Sequence, residues 1–208
     1  MARKALVDDE ELLRRLTVTF RDVGYEAASL ALLSEATGLK KASLYHRFPG
    51  GKEQMAREVM QEAGRWLTEY VLGPLSGPGS PEQRIADMAR QLNGFYQGGK
   101  QACLLNLLSS PVGREGPFKA AIKQMFEAFI SALARVVAES GFPADIAHAR
   151  AERAIALVQG SLVLARGLGS HEPFQRALEV LPTELLAEDS TTTHRRPSAR
   201  PATTEPQP

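Results

Sequence analysis

An all-α fold is what this 208-residue chain predicts, and three features carry the expectation. Ala and Leu dominate, while β-branched residues and aromatics, the latter only 6% of the chain, never cluster in the alternating runs a half-buried strand requires. Apolar residues recur instead at three- and four-residue spacing over long stretches. Gly and Pro punctuate those stretches where helices would stop. With 43% hydrophobic and 24% charged residues the composition is that of an ordinary globular protein with one core or two small ones.

The first helix is expected from about Asp8 to Val23. Asp8, Asp9, Glu10 and Glu11 complement the positive end of its dipole, Leu12, Leu13, Leu16 and Phe20 form its apolar stripe, and Gly24 ends it. Ser29 suits an N-cap for a short helix through Ala36; Gly38 marks a turn, and a second short helix spans Lys40 to Phe48. After Gly50-Gly51, the residues Met55, Val59, Ala63, Trp66, Leu67, Tyr70 and Val71 predict one long connecting helix reaching Gly73-Pro74. The Gly- and Pro-rich stretch 73–81 is a linker where the chain reverses. Ile85, Met88, Leu92 and Phe95 mark a fifth helix ending near Gly98-Gly99, and Leu104, Leu105, Leu107 and Leu108 a short apolar segment. A strongly periodic helix from Phe118 to Val137 stops at Gly141. Another runs from about Ala144 to Leu168 and is apolar on nearly all sides in its second half; Glu172 to Leu181 forms the last. Residues 189–208 hold no Val, Ile, Leu, Met, Phe, Trp, Tyr or Cys and are expected to be a disordered tail.

Charge and chemistry narrow the function. Twenty-five Lys+Arg against 24 Asp+Glu leave a net charge of +1, so affinity for a polyanion has to come from charge placement. The lone Cys103 excludes an intramolecular disulfide framework and a cysteine-based zinc site, which suits a reducing cytosol. The four histidines, His46, His148, His171 and His194, lack metal-ligand spacing. The acidic N-terminal stretch is unlike a signal peptide, and no run approaches the roughly 18 apolar residues of a membrane span. A cytoplasmic protein without metal or cofactor is expected. Lacking a Ser/His/Asp or Cys/His arrangement or a phosphate-binding Gly-rich loop, it is expected not to be an enzyme.

The informative segment is SLALLSEATGLKKASLYHRFPGGK, residues 29–52. Two short helices hinged at Gly38 follow the helix-turn-helix plan, in which the second helix enters the major groove and the first crosses the backbone. From Lys40 to Arg57 the positive residues Lys40, Lys41, Arg47, Lys52 and Arg57 stand against Glu53 and, just beyond, Glu58, giving the local charge that phosphate contacts need. Leu39 and Leu44, with Leu32, Leu33 and Ala36 opposite, are expected to form the small core between the helices. Lys41, Ala42, Ser43, Tyr45, His46 and Arg47 then face outward.

These residues resemble the N-terminal DNA-binding domain of the TetR (tetracycline-repressor-like) transcriptional regulators. The matching positions are Gly24, Tyr25, Ser29, Ala36, Gly38, Ser43, Leu44, Tyr45, Phe48, Lys52 and Glu53, in register from residue 8 to about 60. Leu33-Ser34 and Leu39-Lys40 stand where the family commonly has Ile-Ala and often Val-Ser. The resemblance implies a DNA-binding set of Ser29, Lys40, Lys41, Ala42, Ser43, Tyr45, His46, Arg47 and Lys52, with Tyr45 and Lys52 on phosphates and Lys41 to His46 across base edges. Lys41 suits guanine or phosphate equally, and Ala42 is small enough to meet a thymine methyl.

The second half resembles the same family in Gln159-Gly160-Ser161-Leu162-Val163-Leu164-Ala165-Arg166 and Pro173-Phe174-Gln175-Arg176-Ala177-Leu178. The resemblance implies a homodimer whose interface includes Leu157, Gly160, Ser161, Leu164, Phe174 and Leu178. It also implies a pocket for a small apolar or amphipathic effector, for which Trp66, Tyr70, Met88, Leu92, Phe95, Tyr96, Cys103, Leu104, Leu107, Met125, Phe126 and Phe129 are candidates. Cys103 reads either as a sensor thiol beside Lys100 or as plain core. The domain plan is therefore 1–51 for DNA binding, 52–188 for ligand binding and dimerisation, and 189–208 as tail. The expected function is a sequence-specific transcriptional regulator, a ligand-relieved repressor acting as a homodimer on a palindromic operator. The alternative is a small-molecule-sensing helical protein that acts through a protein partner with little DNA affinity.

Overall fold

The computed structural model describes residues 7–109 and 115–188, and among them every regular element is helical. The expected tail, 189–208, lies outside the described residues.

Helix α1, Asp9–Ala27, starts where the acidic run predicts: the Asp8 carboxylate accepts from the Glu11 backbone N–H at 2.8 Å. Gly24 interrupts it at φ 77°, ψ 171°, a conformation that side chains avoid, and a last turn carries Tyr25 beyond the break. Helices α2 (Leu30–Thr37) and α3 (Lys41–Arg47) follow, then α4 (Gly51–Trp66). The connecting helix is not uniform: beyond Trp66 it widens into a π-helical segment, Leu67–Leu72, and tightens into a 3₁₀ turn at Gly73–Ser76. Periodicity does not distinguish a wide turn from an α-turn, and π segments concentrate at functional positions.

Helix α5 (Pro81–Phe95) opens with a reciprocal capping box between Ser80 and Gln83. The short α6 (Leu104–Leu108) leads, beyond the undescribed stretch, to α7 (Lys119–Glu139). Helix α8 spans Ala144–Leu168, as its periodicity predicts. Helix α9, Glu172–Leu186, runs past its expected end through Pro182, because Leu181 and Leu185 are both sealed in the core. Arg150 of α8 ties down that terminus, donating to the carbonyls of Leu185 and Ala187.

One continuous hydrophobic cluster joins the nine α-helices of the described residues, from Leu12 through Val59, Leu92 and Val136 to Leu185. The last turns of α1 connect the N-terminal helices to the rest. Tyr25 packs edge-on against Phe118 at 5.0 Å, Arg21 lies over the Phe95 ring, and Arg166 of α8 donates to the Asp22 carbonyl.

Candidate nucleic-acid interface

The angle between α2 and α3 is set by a small buried group: Leu33, Leu44 and Phe48 are fully buried, along with Leu16 and Phe20 of α1. Leu32 and Leu39 are half-buried, while Ala36, expected inside, faces solvent. The fully buried Thr37 takes the inner position, because its hydroxyl can donate to the Leu33 carbonyl at 2.7 Å and needs no water.

The turn between the helices is pinned from three sides. Gly38 adopts the left-handed conformation, φ 71°, that closes α2. Ser34, where the family pattern has Ala, donates its hydroxyl to the Leu39 carbonyl at 2.5 Å. Arg15 of α1 reaches across to the Thr37 carbonyl at 3.1 Å, and Glu11 holds Arg15 in turn. The hydrogen bonds from Arg14 and Arg15 lower the Glu11 carboxyl to a pKa of about 2. Neither the Arg15 nor the Ser34 contact leaves a local spacing signal in the sequence, where Ser34 shows only as a departure from the family's Ala.

On this frame α3 presents Lys41, Ala42, Ser43, Tyr45 and His46 to solvent, with Leu44 buried and Arg47 half-buried. Tyr45 is 48% exposed, too open to act as the lid of the small core. Lys40 stands at the N-cap of α3 with no side-chain cap hydrogen bond, where a Ser would supply one. Lys40 and Lys41 enter no ion pair among the described residues, so both ammonium groups are free to meet phosphate. Ser29 caps α2 as expected, accepting from the Leu32 N–H at 3.2 Å.

Two basic residues in the expected DNA set have intramolecular partners. Arg47 donates to Asp9 at 3.1 Å and to both carboxylate oxygens of Glu58, and it lies over the Phe48 ring, clamping α3 to α1 and α4. Lys52 donates to the carbonyls of Tyr25 and Glu26 and sits 4.4 Å from the Tyr25 ring centroid, closing the end of α1.

Behind this head, the expected effector residues separate into three groups. Phe95, Tyr96, Cys103, Leu104 and Met125 line one small cavity with a void of about 20 Å³. Such a void holds about one water. Met88, Leu92 and Phe129 are buried core and Phe126 is half-buried. Leu107 lines a separate cleft beside α8, and Tyr70 is 44% exposed. Trp66 borders the cavity through its stack on Phe95, at 4.7 Å between ring centroids. Tyr96 is fully enclosed, and burial together with the neighbouring Cys103 raises its hydroxyl pKa well above the ordinary value.

The residues expected at a dimer interface also divide. Phe174, Leu178 and Ser161 are buried within the protomer itself, because α9 packs that side against α8 and α5. Gly160 and Leu164 are exposed, with Leu157 half-buried. Around them Val163 is 58%, Leu164 56% and Leu168 69% exposed, an apolar strip along the second half of α8, and Val180 of α9 is exposed as well. Isolated apolar side chains on a surface are ordinary; several on the second half of one helix are less so. No group of His, Cys, Asp and Glu suited to a metal occurs among the described residues, and no described helix is long and apolar enough to cross a membrane.

Comparison with known proteins agrees with this geometry. Residues 12–59 match the sequence profile of bacterial regulatory proteins of the tetR family, and residues 80–180 match that of the LmrA/YxaF-like transcriptional regulator C-terminal domain. The chain is 22% identical to the HTH-type transcriptional regulator LmrA of Bacillus subtilis, over 83% of its own length and 94% of that protein's. It is 25% identical to the HTH-type transcriptional regulator Rv0196 of Mycobacterium tuberculosis, over 86% and 94%. Among solved structures, a TetR transcriptional regulator from Legionella pneumophila superposes with a TM-score of 0.74 at 22% identity, covering 88% of this chain and all of that one. A cysteine mutant of the TetR-family regulator CifR, solved with 26-base-pair double-strand operator DNA, superposes at 0.65 with 24% identity, covering 88% and 98%.

Proposed function

The chain belongs to the TetR family of bacterial regulators and is a DNA-binding transcriptional regulator, and from that premise we propose that it acts as a homodimeric repressor relieved by a small ligand. Residues 1–51 form the reading head and 52–188 the sensing and dimerising body. The observation that carries the reading is the pairing of two open faces: α3 with Lys40, Lys41, Ala42, Ser43, Tyr45 and His46 exposed, and α8 with its apolar strip exposed.

In this reading Lys40 and Tyr45 contact phosphate, Lys41 meets guanine or phosphate, and Ala42, Ser43 and His46 lie across base edges; Ser29 sits beside the backbone, and Arg47 and Lys52 hold α3 and α4 in place while adding to the local positive potential. Joining two copies through α8 and α9 presents two heads to half-sites about 34 Å, or a multiple of it, apart. A ligand entering between Phe95, Tyr96 and Met125 has to widen a void with room for about one water, displacing Trp66 and with it α4, whose other end carries Lys52. Relief is then a shift toward a head spacing that misses the operator, and it requires a ligand with higher affinity for the opened state.

The test is fluorescence anisotropy of the full chain on duplexes tiled across the DNA flanking its own gene, with Tyr45→Ala alongside. Nanomolar, sequence-selective binding by wild type and at least tenfold weaker binding by Tyr45→Ala are expected. Equal, weak binding by both proteins on every tile would reject the reading in favour of a sensor acting through a protein partner.

A further inference from the structure

Arg21, in the penultimate turn of α1, is 8% exposed. Its Nε is buried with no hydrogen-bond partner, and no carboxylate, hydroxyl or carbonyl among the described residues accepts from the guanidinium; the Phe95 ring, 4.8 Å away, is its one polar-face contact. A buried cation without a counter-ion is costly, and protein interiors seldom leave one. The nearby phenol of Tyr96 cannot serve as the anion, because burial keeps it protonated. Desolvation disfavours the charged guanidinium here, yet Arg remains protonated in proteins.

What Arg21 does face is a cleft of about 310 Å³ between α1, the loop after α5 and the end of α8. Lys100, Arg166 and His171 line it with Arg21, and Val18 and Leu162 give it an apolar wall. Asp22 is the one acidic side chain among its described lining residues. Lys100 enters no ion pair among the described residues, and Arg166 spends one nitrogen on the Asp22 carbonyl at 3.1 Å. Three permanent positive charges thus surround one negative charge in a concave space with a greasy side.

We propose that this cleft is a binding site for the carboxylate of a small amphipathic acid, with Arg21 as its buried counter-ion, Lys100 and Arg166 at its rim and the apolar body of the acid against Val18 and Leu162. A planar carboxylate matches the guanidinium fork, and desolvation strengthens the pair. Because α1 belongs to the reading head while Leu162 and Arg166 belong to α8, an acid here bridges the two and biases their relative position. That regulatory consequence rests on the ligand-relief reading above; binding itself does not.

The probe is 3-phenylpropionate, with its neutral amide as the shape control and sodium sulfate as the plain-anion control, followed by thermal melting of the full chain without DNA. Wild type is expected to melt about 5–10 °C higher once the acid stands about a hundredfold above its Kd, while the amide and sulfate leave the midpoint within about 1 °C of its value. Arg21→Met removes the counter-ion and should bind the acid tenfold or more weakly while melting no lower than wild type unliganded. Lys100→Gln, at an exposed loop position, should weaken binding severalfold with the unliganded midpoint unchanged. An equal acid-induced shift in wild type and Arg21→Met, no shift in wild type, or a sulfate shift matching the acid's would overturn the site. Acid binding that leaves operator affinity intact would sink ligand relief at this cleft and spare the site; operator release by a neutral ligand with no response to the acid would do the reverse.

Discussion

Arg47 and Arg21 lie at two junctions of the same molecule and are treated in opposite ways. In the head, Arg47 is held by Asp9 and Glu58, and the other inward-turned cations, Arg15 and Lys52, each end on backbone carbonyls. In the cleft behind the head, Arg21 is more deeply buried and has no acceptor among the described residues. The difference separates a head whose inward-turned cations are matched, holding α3 in place with its outward residues ready for DNA, from a cleft whose deepest cation is left unmatched among the described residues. Rigidity suits base reading, where register has to be held; an unmet charge suits sensing, where a bound anion should change the energy of the state.

The largest expected effect concerns what makes the two regions work together. Leu164→Glu places a charge in the middle of the exposed α8 strip and should separate the protomers, lowering operator affinity about 10²–10⁴-fold by removing the second head. Sedimentation velocity and anisotropy on one sample check it; a monomer with undiminished affinity would break the link between dimer and reading. Within the head, Lys41→Ala should cost about 1–3 kcal/mol at one base position if the lysine reads guanine, measured as a changed preference across single-substitution duplexes. Uniform weakening across those duplexes would assign Lys41 to phosphate.

The contrast between the arginines gives stability predictions of smaller size. Arg21→Met should stabilise the unliganded protein by about 1–4 kcal/mol, because an unmatched charge is exchanged for packing, whereas Arg47→Met removes a matched one and should destabilise. Denaturant titration of both variants decides it, and the same sign for both would erase the distinction. Lys40→Ser supplies the missing N-cap of α3 and should add about 0.5–1 kcal/mol while weakening DNA binding through the lost charge. Smallest is the acid response of the Glu11 cluster. Its folded-state pKa is depressed to about 2, so its contribution is complete above the ordinary value of 4.5 and is lost as pH falls from there toward 2, a loss that Glu11→Gln should remove from the acid melting profile.

Much of the head was legible in the sequence because its signals are local. Ser29 at a cap, Gly38 at a left-handed turn and Leu44 between outward neighbours each follow from spacing and residue chemistry. Helix α8 was legible to its ends for the same reason, its apolar residues recurring from Ala144 to Leu168. What escaped depends on contacts distant in sequence. Ala36 and Thr37 are adjacent on the same short helix, and which of them is buried is decided by α1. Phe174 and Leu178 are interface residues by the family resemblance, yet the protomer buries them. Trp66 to Leu72 reads as ordinary helix, since apolar spacing of three and four residues tolerates a π turn. Arg47 and Arg21 are indistinguishable by spacing, because whether an arginine finds a carboxylate is a property of the assembled helices.

The most direct test of DNA reading by paired α3 helices is the salt dependence of operator affinity for wild type and Lys40→Ala, measured by anisotropy from about 50 to 200 mM salt. A lysine that meets one phosphate in each of two heads predicts a plot of log affinity against log salt shallower by about two in the variant, since each phosphate contact contributes about 0.9 to the slope. An unchanged slope would mean that the exposed face of α3 does not lie on DNA.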